Sequence, residues 1–161
     1  MRGGVVPPAL LFMALGLALS SAPRSAWAPS LFALFVTLAA FTFLPVPRVW
    51  LEGIFLGCWI SVIATAASVH LVRGLSARAA LALSLNAGVW ASAVVCLSGS
   101  QLDLLKALPC VLIFLPASWV VGRYHSIPVK VVSSWVIAVA VLAATLQLLP
   151  VTPGYLPDHM E

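Results

Sequence analysis

Residues 49–72 have the sequence VWLEGIFLGCWISVIATAASVHLV, which contains no Asp, Lys or Arg and only one Glu and one His, Glu52 and His70. A helix needs about 20 consecutive, mainly apolar residues to cross the hydrocarbon core of a bilayer. Apolar residues cover every side of a helix built from this segment, which is the pattern of a segment that faces lipid. The segment therefore predicts a transmembrane helix.

The composition of the whole chain agrees with that prediction. Apolar residues make up 63% of the 161 residues and charged residues only 7%, whereas about a quarter of the residues are charged in an average soluble domain. Twelve charged side chains, 8 basic and 4 acidic, are too few to give a soluble surface. No segment alternates apolar with polar residues, so a transmembrane β-barrel is excluded.

Apolar segments separated by short polar or proline-containing connectors extend along the chain. We predict an all-α, polytopic integral membrane helical bundle with about six transmembrane helices, or five if the short first pair does not span. Residues 1–161 would form a single transmembrane domain that ends in a short polar tail, 150–161. The predicted spans are 6–21, 30–44, 49–72, 77–98, 104–122 and 129–149.

The first apolar segment resembles a secretory signal, because Met1-Arg2 precedes it and Ala26-Trp27-Ala28 resembles a cleavage site. Cleavage there would leave Pro29 as the first residue of the mature chain, and proline makes a poor scissile bond. We therefore expect an uncleaved first helix.

Basic residues predict the orientation. With six spans, the first, third and fifth connectors lie on one side of the membrane, and the termini and the other connectors lie on the other. The positive-inside rule places the side with more Lys and Arg in the cytoplasm, so both termini are expected outside, in a bacterial cytoplasmic membrane. The first, third and fifth connectors, with the residues next to them, contain Arg24, Arg73, Arg78, Arg123 and Lys130. The opposite side contains Arg2, Arg48 and Lys106, together with all four acids.

Several kinds of site are not expected. The basic residues form no patch, which argues against nucleic-acid binding. Cys58, Cys96 and Cys110 lie in apolar segments without metal-ligand spacing, which is typical of free, buried cysteines. We expect no cofactor and no metal site. For the tail residues Asp158, His159 and Glu161, a solvated polar segment is favoured over metal binding.

Four residues are candidates for polar or solute contact: Asn86, Trp90, Glu52 and Gln147. A buried amide in a membrane usually forms a hydrogen bond to a neighbouring helix, worth about 0.6 to 2 kcal/mol. We expect that structural role for Asn86, with contact to a solute as the alternative. Glu52 lies near a span end, so an interfacial anchor is favoured over an ion pathway.

Small residues recur every four positions in the third and fourth spans. Close approach of backbones through small side chains stabilises helix pairs in lipid, so we expect these two spans to pack tightly against each other, although the same faces would suit a partner protein. The residues are Gly53, Gly57, Ser61 and Thr65 in the third span, and Ala80, Ser84, Gly88 and Ser92 in the fourth.

Two prolines, Pro109 and Pro116, lie within the fifth span. Each removes a helical N–H group and leaves the carbonyl four residues earlier without its helical partner. We expect helix kinks at both positions. Broken helices line the binding sites of several transporter folds, but kinks also occur in membrane proteins that transport nothing.

No motif for nucleophilic catalysis or phosphate binding is present, so no catalytic residue is predicted and we expect a protein that is not an enzyme. The favoured hypothesis is an accessory, assembly or scaffolding subunit that acts through helix–helix contacts, with a membrane protein or a second copy as partner within the lipid bilayer. The alternative is a small oligomeric transporter or channel. A lipid-acting enzyme would depend on the connector at residues 123–125 or on the tail.

Overall fold

The computed structural model describes residues 5–42, 47–71, 74–98, 101–124 and 126–148, which form helices and connecting turns without a β-strand. The predicted all-helical class is confirmed. The α-helices are α1 (Val6–Ser20), α2 (Trp27–Thr42), α3 (Leu51–Ala67), α4 (Ala77–Ser98), α5 (Gln101–Ala107), α6 (Phe114–Tyr124) and α7 (Ile127–Leu148). Short 3-10 helices occupy Arg24–Ala26, Arg48–Trp50, Ser68–His70 and Leu108–Ile113.

Five helical segments of the described residues are long and apolar enough to cross a membrane. A sixth helix, α1, is apolar but shorter, with 15 residues. The protein is therefore an integral membrane protein of the multi-pass type. The five long segments are Arg24–Phe41, Leu51–His70, Ala77–Leu97, Leu102–Arg123 and Ile127–Leu148.

Contacts at the helix ends show that successive segments run in alternating directions. The Leu75 N–H group donates to the carbonyl of Ser21 at 3.3 Å, which brings the end of α1 to the start of α4. At the same end of the bundle, Ser134 Oγ of α7 lies 3.4 Å from His70 Nε2. At the opposite end, Cys96 Sγ of α4 lies 3.7 Å from the Phe41 carbonyl of α2.

Charge is distributed unevenly between these two ends. We call the end that contains Arg24, Arg78, Arg123 and Lys130 the basic end. No Asp or Glu occurs there among the residues that the structure describes. The opposite end contains both acids of the described residues, Glu52 and Asp103, in the first turns of α3 and α5.

Helix α1 lies at the centre of the bundle. The side chains of Leu11, Phe12, Leu15 and Leu19 are all 0% exposed, and α1 contacts α3, α4, α6 and the 3-10 helix Leu108–Ile113. Because α1 is apolar on every side, it has no face that prefers water, and neighbours can surround it. With a rise of 1.5 Å per residue it is about 22 Å long, shorter than a hydrocarbon core of about 30 Å.

Helix α2 starts at Trp27, three residues before its predicted start. Pro29 falls in the first helical turn, where the missing N–H group breaks no intrahelical hydrogen bond. The Trp27 indole N–H donates to the Leu19 carbonyl at 3.0 Å, and its ring packs edge-on against Phe114 at 4.9 Å. The hydrogen bond fixes the start of α2 against the central helix α1, and the ring contact fixes it against the start of α6.

Candidate functional site

A polar cluster joins α3 and α4 near the middle of both helices. The side-chain amide of Asn86 donates a hydrogen bond to the Ser61 hydroxyl, and the Trp90 indole N–H donates to the Asn86 carbonyl oxygen at 3.0 Å. Ser61 is buried, whereas Asn86 and Trp90 are half-buried. The amide thus uses both of its ends in one interhelical network.

Gly57 provides the space for this cluster. A Cβ atom built on Gly57 would overlap the six-membered ring of Trp90. The indole therefore lies directly over the α3 backbone, one helical turn from Ser61. Any side chain at position 57 would displace the ring and disturb its hydrogen bond to Asn86.

The small residues of α4 are used differently from the predicted pairing. A Cβ on Gly88 would overlap the Thr37 side chain and lie 3.2 Å from the Leu34 carbonyl, and both of these belong to α2. At 100° per residue, Gly88 points about 160° away from Asn86 and from Trp90. The small face of α4 therefore packs on α2, and the face with Asn86 and Trp90 packs on α3.

The other small residues of the two predicted rows occupy different environments. Gly53 is exposed, and no atom lies within 4 Å of a Cβ built there. Thr65 and Ser84 are 0% exposed, and their hydroxyl oxygens have no hydrogen-bond partner among the described residues. The Ser92 hydroxyl donates within its own helix to the Gly88 carbonyl at 2.7 Å. The α4 row, Ala80, Ser84, Gly88 and Ser92, is therefore buried along its whole length, whereas the α3 row is exposed at Gly53.

The other two candidate polar residues line one pocket at the end opposite the basic end. Glu52 in the first turn of α3 and Gln147 in the last turn of α7 both contribute to a cavity of about 180 Å³ that is partly open to the surroundings. The rest of its lining is apolar or lacks a side chain: Leu51, Gly53, Phe55, Leu56 and Leu148. The structure thus places the four candidates in two pairs, Asn86 with Trp90 and Glu52 with Gln147.

The predicted proline kinks fall in a helix that is interrupted. Between α5 and α6 the backbone winds as a 3-10 helix, Leu108–Ile113, with Pro109 at its start and Pro116 in the first turn of α6. A 3-10 run of this length is uncommon and often accompanies strain or a hinge. The interruption lies against the central helix α1.

Gly16 of α1 permits that contact, and sequence reasoning did not identify it. A Cβ at position 16 would lie 2.6 Å from the Ile113 side chain and 2.7 Å from the Val111 carbonyl. The signal was the only glycine of α1, which stands between Ala14 and Ala18 among several leucines, because glycine within a helix costs stability. A second unpredicted contact joins α7 to α3, because the buried Ser133 hydroxyl donates to the Ala66 carbonyl at 2.6 Å.

No group of three or more metal-ligating side chains occurs among the residues that the structure describes. Asp158, His159 and Glu161 lie outside those residues. Cys58 is buried, Cys110 is half-buried and Cys96 is exposed, and none of these three described cysteines forms a disulfide bond. Comparisons with protein families, with curated protein sequences and with solved structures found no match.

Proposed function

We propose that this chain is a small, non-enzymatic membrane subunit with an accessory, assembly or scaffolding role, and that it acts by packing against another transmembrane helix. The observation that carries the proposal is the outward face of α3. Gly53, Ile60, Ala64 and Ala67 are all exposed, and at 100° per residue they fall within an arc of about 60°. Three of the four are small, and Ile60, 57% exposed, is the bulky exception.

Small residues on an outward face favour a protein neighbour over lipid. Lipid chains solvate large apolar side chains equally well, whereas close approach of two backbones requires small ones. The outward surface of α7 is bulkier, because Trp135, Leu142 and Leu146 are each more than half exposed. The face of α3 is therefore better suited to contact with a second helix than the outward face of α7.

The filled centre of the bundle supports the same proposal. Leu11, Phe12, Leu15 and Leu19 of α1 lie where a pathway through a single copy would run, and all are fully buried. Because side chains fill the centre of the bundle, contacts on its outer surface are favoured over a pathway through its interior.

Site-specific photo-crosslinking in native membranes tests the proposal. A photoreactive residue in place of Ala64 is expected to crosslink to another protein chain, either a different protein or a second copy. The same residue in place of Leu142, on the bulky face of α7, serves as the matched control and is expected to react with lipid. Crosslinks from position 64 to lipid alone, together with extraction as a lone monomer, would contradict the proposal.

We also propose that the basic end faces the cytoplasm of a bacterial cell, with both termini outside the cytoplasmic membrane. The excess of Arg and Lys at that end supports this orientation. In a variant without native cysteines, Val49→Cys is expected to react with an impermeant maleimide applied from outside, and Ser76→Cys only after permeabilisation. The two positions are exposed at opposite ends, so the reverse labelling pattern would invert the topology.

One observation favours the alternative, a small oligomeric transporter or channel. The 3-10 interruption between Pro109 and Pro116 packs on the central helix, which resembles the broken helices of transporter folds. Solute flux into liposomes that contain the purified protein tests this alternative. Flux that is lost in a Gly16→Leu variant, which would push the interruption away from α1, would support transport over the subunit role.

A further inference from the structure

We infer that the pocket between the start of α3 and the end of α7 binds the ammonium group of an amphiphile, either a lipid headgroup or a free long-chain amine. This site shares Gly53 with the helix-contact face of α3 that supports the proposed function. Glu52 and Gln147, on which the inference depends, lie outside that face. The inference depends on three properties of the pocket: its charge, its lining and its position at a helix end.

The charge of the pocket selects a cation. Glu52 is exposed in the pocket, and no described residue forms a hydrogen bond or ion pair with it. The amino end of α3 contributes about half a positive charge, which is smaller than the full negative charge of the carboxylate. The pocket is therefore net negative, and the phosphate or sulfate group of an anionic ligand would be repelled.

The lining suits an alkylated ammonium group. Leu51, Leu56 and Leu148 line the pocket beside Glu52, and their apolar side chains can contact the alkyl groups of a substituted ammonium. Phe55 also lines the pocket but is only 2% exposed, so it adds little accessible surface. The Gln147 amide supplies a polar group that can accept an N–H hydrogen bond or contact the rest of a headgroup. A cavity of about 180 Å³ is smaller than the pockets of roughly 300–1,000 Å³ that hold drug-sized ligands, so it suits a headgroup better.

The position of the pocket explains why the ligand should be amphipathic. Glu52 and Gln147 lie in the terminal turns of two membrane-spanning segments, where hydrocarbon meets the polar interface. Leu148 lines the same pocket and is 67% exposed. An alkyl chain attached to the bound ammonium group could continue along this apolar surface into the bilayer.

Equilibrium binding to the purified full chain in maltoside micelles tests the inference. The probes are dodecyltrimethylammonium, dodecyl sulfate with the same chain, and tetramethylammonium without a chain. We expect dodecyltrimethylammonium to bind at least tenfold more tightly than the other two, and Glu52→Gln to weaken its binding at least tenfold. Glu52→Asp should retain part of the affinity, because it keeps the charge.

Asp103→Asn is the matched control, because Asp103 is the other acid in a first helical turn at this end and does not line the pocket. It should leave binding unchanged. Equal binding of dodecyl sulfate, an unaffected Glu52→Gln variant, or an equal loss in Asp103→Asn would each overturn the inference. Native mass spectrometry from nanodiscs then identifies the source: retained phosphatidylethanolamine or phosphatidylcholine indicates a headgroup, and displacement by the single-chain amine alone indicates a free amphiphile.

Discussion

The indole ring of Trp90 on α4 occupies the space above Gly57 on α3 that any side chain at position 57 would require. The same indole donates its N–H to Asn86, and the Asn86 amide donates to Ser61 on α3. The ring therefore packs on one residue of α3 while its polar edge holds a hydrogen bond to the neighbouring amide. Packing and hydrogen bonding at the α3–α4 contact depend on each other.

Gly57→Ala is expected to destabilise the protein by about 1–3 kcal/mol, the usual cost of inserting a methyl group into a well-packed contact. The added Cβ would displace the Trp90 ring and lengthen its hydrogen bond to Asn86. The free energy of unfolding, measured by titration with a denaturing detergent, provides the readout. Combination with Trp90→Ala should cost less than the sum of the two single changes, because the overlap disappears with the ring.

Gly53→Ala is the control for that experiment. It makes the same chemical change one turn earlier in α3, where a Cβ meets nothing within 4 Å. Alanine is the better helix former, so stability should be unchanged or should rise by up to about 1 kcal/mol. If Gly53→Ala and Gly57→Ala had equal effects, the close contact between Gly57 and Trp90 would not contribute to stability.

The hydrogen bond between Asn86 and Ser61 is expected to contribute modestly. Double-mutant cycles on interhelical hydrogen bonds in a membrane protein average about 0.6 kcal/mol, with a maximum near 1.7. A cycle with Ser61→Ala and Asn86→Leu should give a coupling energy in that range. The parallel cycle with Ser92→Ala, whose hydroxyl bonds within α4, should give a coupling near zero, and equal values for the two cycles would contradict the assignment.

Gly88→Ala is expected to weaken the packing of α2 on α4 and to lower the free energy of unfolding by about 1–3 kcal/mol. The new methyl group would overlap the Thr37 side chain of α2, while the α3 contact on the other face of α4 would remain. Gly122→Ala, at an exposed glycine with no atom within 4 Å, is the control and should leave stability unchanged. A larger loss from the control would contradict the packing of Gly88 on α2.

The class of fold was predictable because composition alone excludes a soluble surface and long apolar segments require helices in lipid. The bounds of α4 were also marked, by Arg78 near its start and by Gly99-Ser100 beyond its end. The central position of α1 was not predictable. A helix that is apolar on every side gives no periodic signal of which face is buried, so its neighbours appear only in three dimensions.

The individual candidate residues could be identified from the sequence, but which of them lie together in the structure could not. Asn86 and Gln147 were identified because amides are unusual in lipid, yet nothing in the sequence paired Gln147 with Glu52, since α3 and α7 are far apart in the chain. The row of small residues in α4 was visible, but its partner was not, because a small face suits any helix that approaches closely. Trp90 of α4 packs over Gly57 of α3, and the small face of α4, on the other side of that helix, therefore packs on α2.

Helix α1 is expected to remain part of the mature protein, although its sequence resembles a secretory signal. Removal of residues 6–20 would take away Phe12, Leu15 and Leu19, which are 0% exposed at the centre of the bundle, and would leave α3, α4 and α6 around an empty core. Intact mass measurement of the protein purified from native membranes should therefore give the mass of a chain that contains α1.

Leu15→Ala in α1 should lower the free energy of unfolding by about 2 kcal/mol through the cavity it creates, whereas Leu142→Ala on the exposed face of α7 should have little effect. A mature chain that begins at Pro29 and remains a folded bundle would show that α1 is dispensable, because the surrounding helices would then have to pack without it.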